Sequence, residues 1–165
     1  MERGGLAAAG GHPGGSQQPG ARGAAVTAKQ RYHATGSVRA GGEGRLSAHG
    51  LDVPFDGTAG RLDALPGPSD VLAAALCACI LKNVERFSHI LSFQYESASV
   101  EVTAEREEPP PRIARVSYVL RVVTDEPRAR VELLHRNIRK FGTITNTLAA
   151  AGEVTGSIES VAPRT

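Results

Sequence analysis

The chain has 165 residues, a formal net charge of +2 and 41% hydrophobic residues, which suits a single domain with its own core. The near-balanced charge, without a dense Lys/Arg patch interleaved with aromatics, argues against a nucleic-acid partner. No stretch reaches the roughly 18 apolar residues of a membrane span, and two cysteines separated by one residue do not form a disulfide framework.

Residues 1–28 carry eight Gly and many Ala, with almost no large apolar side chain. Such a segment buries too little surface to offset its ordering entropy. It also lacks the continuous apolar region of a secretory signal. A disordered tail accounts for it, as does a start codon assigned too early, with translation beginning near Val26. The domain itself is expected over residues 29–165. With no export signal, a reducing cytoplasm is the expected compartment, and both thiols should be free.

Lys29 to Arg39 reads as a polar, weak strand, and Gly41-Gly42-Glu43-Gly44 as a turn. Arg45 to Phe55 follows as strand, with a break expected at His49-Gly50. These segments form a meander of hairpins. A loop rich in Gly, Pro and Asp, residues 56–68, leads to the run Val71-Leu72-Ala73-Ala74-Ala75-Leu76-Cys77-Ala78-Cys79-Ile80-Leu81, which holds both cysteines. Ser69 suits the N-cap and Asp70 the first turn, so a helix is expected to about Phe87. Its first turns are apolar on all sides, which predicts burial all round.

Ser99–Glu105 alternates, with Val100, Val102 and Ala104 on one face. Ile113–Val123 does the same, with Val116, Tyr118, Leu120 and Val122 opposed to Arg115, Ser117 and Arg121. This period of two marks a sheet with one wet face. Pro127 opens a second helix as its first residue, with Val131, Leu134, Ile138 and Phe141 at helical spacing. Gly142 interrupts it, Thr143–Ala151 forms a short third helix, and Glu153–Val161 a last strand. The order predicts an α+β fold, with helices packed on one face of a mostly antiparallel sheet.

The order, with Pro68-Ser69-Asp70-Val71-Leu72-Ala73-Ala74-Ala75-Leu76-Cys77-Ala78-Cys79 at its centre, resembles the OsmC/Ohr family. Members typically show Pro-x-Glu-Leu-Leu-x-Ala-Ala-x-x-x-Cys on a long central helix. A second motif, Cys-Pro-Val-Ser-x-x-Leu, is matched in outline by Gly142-Thr143-Ile144-Thr145-Asn146-Thr147-Leu148. The similarity covers about residues 29–161. The Glu105-Arg106-Glu107-Glu108-Pro109 connection resembles a branch of unassigned function.

The resemblance implies an intertwined homodimer with active sites at the subunit interface. It also implies reduction of organic hydroperoxides by a cysteine thiolate, in oxidative-stress defence. The thiolate becomes a sulfenic acid, an Arg holds it ionised, a Glu orients the Arg, and a second cysteine resolves it. Only the thiolate is a good nucleophile. Three positions depart from this pattern. Gly142 stands where the resolving cysteine falls, Ser69 where the orienting Glu falls, and Pro54 where one branch has its Arg.

Cys79 is therefore the candidate peroxidatic residue, reduced in turn by an external thiol. Arg39, Arg45 and Arg61 are candidate thiolate stabilisers, and Asp70 matches a family acidic position that helix capping also explains. Cys77 lies about 200° round the helix from Cys79 and reads as core packing. The five His show no metal-ligand spacing and read as surface residues. No cofactor, metal, membrane or nucleic-acid partner is expected. The other reading is a fold that has lost the chemistry and binds a hydrophobic small molecule in its dimer cleft.

Overall fold

The computed structural model describes residues 29–60 and 64–164. The expectations for residues 1–28 and for Arg61 lie outside them. Three strands come first: β1 (Thr35–Val38), β2 (Glu43–Ala48) and β3 (Leu51–Asp56). They form an antiparallel meander in the order β1-β2-β3. The first strand is shorter than its sequence suggests. The break at His49-Gly50 is a two-residue hairpin turn with φ of +45° and +84°, a conformation whose twist matches that of the strands it joins. Gly44 pairs with Phe55, and a Cβ there would stand 2.5 Å from the Phe55 ring.

The long helix α1 (Pro68–Leu91) follows. Its N-cap is Gly67, not Ser69, with Pro68 at the first helical position, where a missing N–H costs nothing. The Gly67 N–H donates to the Asp70 carboxylate at 2.8 Å, so Asp70 caps the helix from inside its first turn. Leu76, Ile80, Val84 and Phe87 form its buried stripe, at the spacing that keeps side chains on one helical face. Burial all round is not what the chain shows. Ala74, Ala75 and Ala78 are exposed, because within one chain α1 is covered only on the side that meets β4, α2 and α3.

β4 (Ser97–Glu107) and β5 (Arg112–Val123) pair antiparallel, and β6 (Glu153–Val161) joins β5 in parallel. A parallel return needs a crossover of a dozen or more residues. α2 (Arg128–Phe141) and α3 (Thr143–Ala149) supply it. The architecture is thus α+β, with two three-stranded sheets rather than one. Val116, Tyr118, Leu120 and Val122 of β5 meet Val131, Leu134 and Ile138 of α2 and the α1 stripe in one core. On the outer face, Arg115 bonds Glu105 and Glu153, and Arg121 bonds Glu159.

Two details of α2 differ from the sequence reading. Pro127 is its N-cap rather than its first residue. Phe141 is 44% exposed, although its ring lies 5.5 Å from that of Phe87. Arg130 fixes the start of α2 against the end of α1. It donates to the carbonyls of Leu91 and Ser92 at 2.8 and 2.9 Å, which have no partner within their own helix end. Glu126 holds Arg130 at 2.6 Å and accepts the Gln94 N–H.

Candidate active site around Cys79

Cys79 lies in the fourth turn of α1, one residue before the fully buried Ile80, and is itself half-buried. Asn83, one turn on, donates its side-chain amide to the Cys79 carbonyl at 2.8 Å and approaches Cys79 Sγ at 3.7 Å. Cys77 is also half-buried, and burial pushes its thiol above the ordinary range. A raised thiol is a poor nucleophile at neutral pH.

The structure disperses the remaining predicted residues within one chain. Arg39 stands 3.6 Å from Glu43 in an exposed hairpin turn. Arg45 is held by Asp52 across the β2/β3 pair at 2.8 and 3.2 Å, contacts that raise Arg45 and lower Asp52 from their ordinary values. Neither bonds to Cys79. Asp70 lies nine residues before Cys79, about 13 Å along the helix axis. It lines an open groove of about 750 Å³ with Ser69, Phe55 and Arg106. Pro54 sits within β3, opposite Arg45. Gly142 is buried at the start of α3, where a Cβ would lie 2.6 Å from Thr145 Oγ1.

Two polar contacts escaped the sequence reading. Asn83 was legible in principle, as an amide inside an apolar helix four residues after a cysteine, a spacing that places the two side chains on one face. The other joins distant segments. Tyr118 Oη and His135 Nε2 lie 2.8 Å apart between β5 and α2, with the rings edge to face. His135 is therefore not a surface residue. Burial, with Arg139 nearby, holds it below the ordinary histidine range, while burial pushes Tyr118 up to about 12. Gly156 makes room for the ring, since a Cβ there would stand 2.1 Å from it. Among the described residues no group of three His, Cys, Asp or Glu could hold a metal ion.

This α+β arrangement, with a long cysteine-bearing helix packed on the second sheet, is shared with many solved structures. An OsmC-like protein from Mycoplasma pneumoniae superposes with a TM-score of 0.71 at 13% identity, covering 80% of this chain and 98% of that one. An OsmC-like protein of unknown function from Vibrio cholerae gives 0.70 at 15% identity, covering 79% and 100%. The organic hydroperoxide resistance protein OsmC of Legionella pneumophila gives 0.66 at 18% identity, covering 81% and 100%. No curated protein matches in sequence. The OsmC-like protein family profile matches residues 61–156, and the chain belongs to that family.

Proposed function

We propose that this chain is a one-cysteine thiol peroxidase of organic hydroperoxides, with Cys79 as the peroxidatic residue. The observation that carries the reading is the half-buried thiol of Cys79, at the last position of the motif on α1, with an amide donor beside it. The Cys79 thiolate attacks one oxygen of the peroxide O–O bond. The S–O bond forms, the O–O bond breaks, and the leaving alkoxide takes a proton to become an alcohol. Sulfur is oxidised by two electrons to the sulfenic acid as the peroxide is reduced. An external thiol then condenses with the sulfenic acid, releasing water and forming a mixed disulfide. A second thiol frees Cys79 by exchange. With Gly142 in place of a second cysteine, no internal disulfide completes the cycle.

The reading includes a homodimer. Ala74, Ala75 and Ala78 on α1 and Val38 and Leu51 on the meander leave apolar surface uncovered, which a second copy would bury. Arg39 or Arg45 then serves as the cation near the thiolate in the assembled dimer rather than within one chain.

Oxidation of Cys79 by cumene hydroperoxide and by hydrogen peroxide, followed by sulfenic-acid trapping and mass spectrometry, tests the chemistry. Fast oxidation that prefers the organic peroxide is expected. Cys79→Ser should abolish peroxide consumption and Cys77→Ser should retain it. Equal activity in both variants, or a rate no higher than a free-thiol control, sinks the peroxidase reading. The reading left standing would be an apolar ligand site.

A further inference from the structure

Asn83 is an unexpected residue for its position. It is 8% exposed, in the middle of a helix whose neighbouring buried residues are Ile80, Val84 and Phe87. Asparagine is among the weaker helix formers, because its side chain competes with the backbone for hydrogen bonds. Burying an amide in an apolar setting costs free energy unless its donors are used.

The direction of the amide follows from the chemistry of its partner. The Cys79 carbonyl oxygen only accepts hydrogen bonds. At 2.8 Å the group facing it must therefore be the NH₂ end of Asn83, which settles an orientation that side-chain amides otherwise leave open. The same nitrogen lies 3.7 Å from Cys79 Sγ, within reach of a large sulfur acceptor. An NH₂ group carries two hydrogens. One serves the carbonyl, and the other is available to the sulfur.

We infer that Asn83 is a thiolate-stabilising residue, holding an N–H on Cys79 Sγ where the chain lacks the family's orienting Glu. This rests on the reading of Cys79 as the reactive thiol. A hydrogen bond to the charged form of a group favours that form, and bonds to ionised acceptors are stronger than neutral ones. The carbonyl bond locks the donor in place before the thiol ionises, so no reorganisation accompanies the charge. The side chains that β4 and α3 bring to the core, Val100, Val102, Ile144 and Leu148, do not ionise. On α2, His135 and Arg139 act on Tyr118 of β5. On α1 itself the nearest charge C-terminal to Cys79 is the exposed Lys82.

The test is the rate of alkylation of Cys79 by iodoacetamide at pH 7, divided by the rate at pH 10, in the full chain carrying Cys77→Ser. The ratio reports the thiolate fraction and needs no peroxide, so it stands apart from the peroxidase assay. Asn83→Leu removes both donors, and its ratio should fall severalfold, because the charged form loses its hydrogen bond. Asn83→Ser is the variant that separates roles. Its single O–H can back-bond to the Cys79 carbonyl, as serine does to the residue four before it, and leaves nothing for the sulfur. Its ratio should fall nearly as far while the far-ultraviolet circular dichroism is unchanged. Lys82→Met, measured alongside, should move the ratio less. An unchanged ratio in folded Asn83→Ser overturns the inference, whether or not Cys79 reduces peroxides. A lowered ratio with no peroxide reduction upholds the donor and discards the peroxidase.

Discussion

The two sheets of this chain live in different surroundings. The second, β4-β5-β6, lies against α1 and α2, and with them supplies every residue of the core except Phe93, from the segment joining α1 to β4. The first, β1-β2-β3, supplies none. Its four-residue strand β1 is exposed throughout, and Val38 and Leu51 are 59% and 55% exposed. Both sheets have good ladders, so hydrogen bonding does not separate them. What separates them is cover. A sheet stabilises a fold by burying one face, and a lone small sheet is marginal in water. The meander holds its shape locally, through the His49-Gly50 turn, the Gly44–Phe55 contact and the Arg45–Asp52 pair.

The largest expected effects exploit that contrast. Leu120 and Leu134 are fully buried, and replacing either with Ala should cost ~2–5 kcal/mol in urea unfolding. Leu51→Ala should stay within ~0.5 kcal/mol, as surface substitutions do, at dilutions that leave the chain monomeric, and cost more at concentrations where the proposed dimer forms. A Leu51→Ala loss that stays within that limit at every protein concentration would count against the dimer on this face. A loss that grows with concentration would show that a second copy covers the meander, because binding to the folded state alone adds concentration-dependent stability.

Two glycines sharpen the contrast one step lower. Gly156 has no room for a Cβ beside the Tyr118 ring, which is buried and bonded through its hydroxyl to His135. Gly156→Ala should cost ~1–3 kcal/mol through overpacking. Gly50 has open space but a φ of +84°, so Gly50→Ala should cost only ~1–2 kcal/mol through its backbone. Tyr118→Leu should recover part of the Gly156→Ala loss in a double-mutant cycle and none of the Gly50→Ala loss. Equal recovery in both would mean that the ring contact is not the cause.

The same division explains what the sequence could tell. Alternation along β5 announced its buried face, and the bounds of β6 and the turn at His49-Gly50 followed from local chemistry. The apolar run of α1 announced that something covers it. Composition alone does not say which side its own chain covers, so the exposed Ala74, Ala75 and Ala78 were not foreseen. Ser69 was the expected N-cap, but Gly also suits that position, and the backbone puts the cap at Gly67. At the candidate site, the motif marked Cys79, and Asn83 was one helical turn away. Tyr118 and His135 lie on different elements, and no local pattern pairs them.

That last pair yields the gentlest prediction. Burial lowers His135 in the folded protein from its ordinary value. The unfolded chain, with histidine near 6.5, therefore binds the proton first as pH falls. Stability depends on pH in the direction of the state that holds more protons. It should be full above about 6.5, decline as pH drops through that value, and level off once the folded pair also protonates. The urea midpoint at pH 5.5 should thus lie below that at pH 7.5, and His135→Gln should flatten the difference. The carboxylates lowered by their partners, Glu126 and Glu85, lose their contribution only at more acidic pH, outside this window. A dependence that survives His135→Gln would place the titrating group elsewhere.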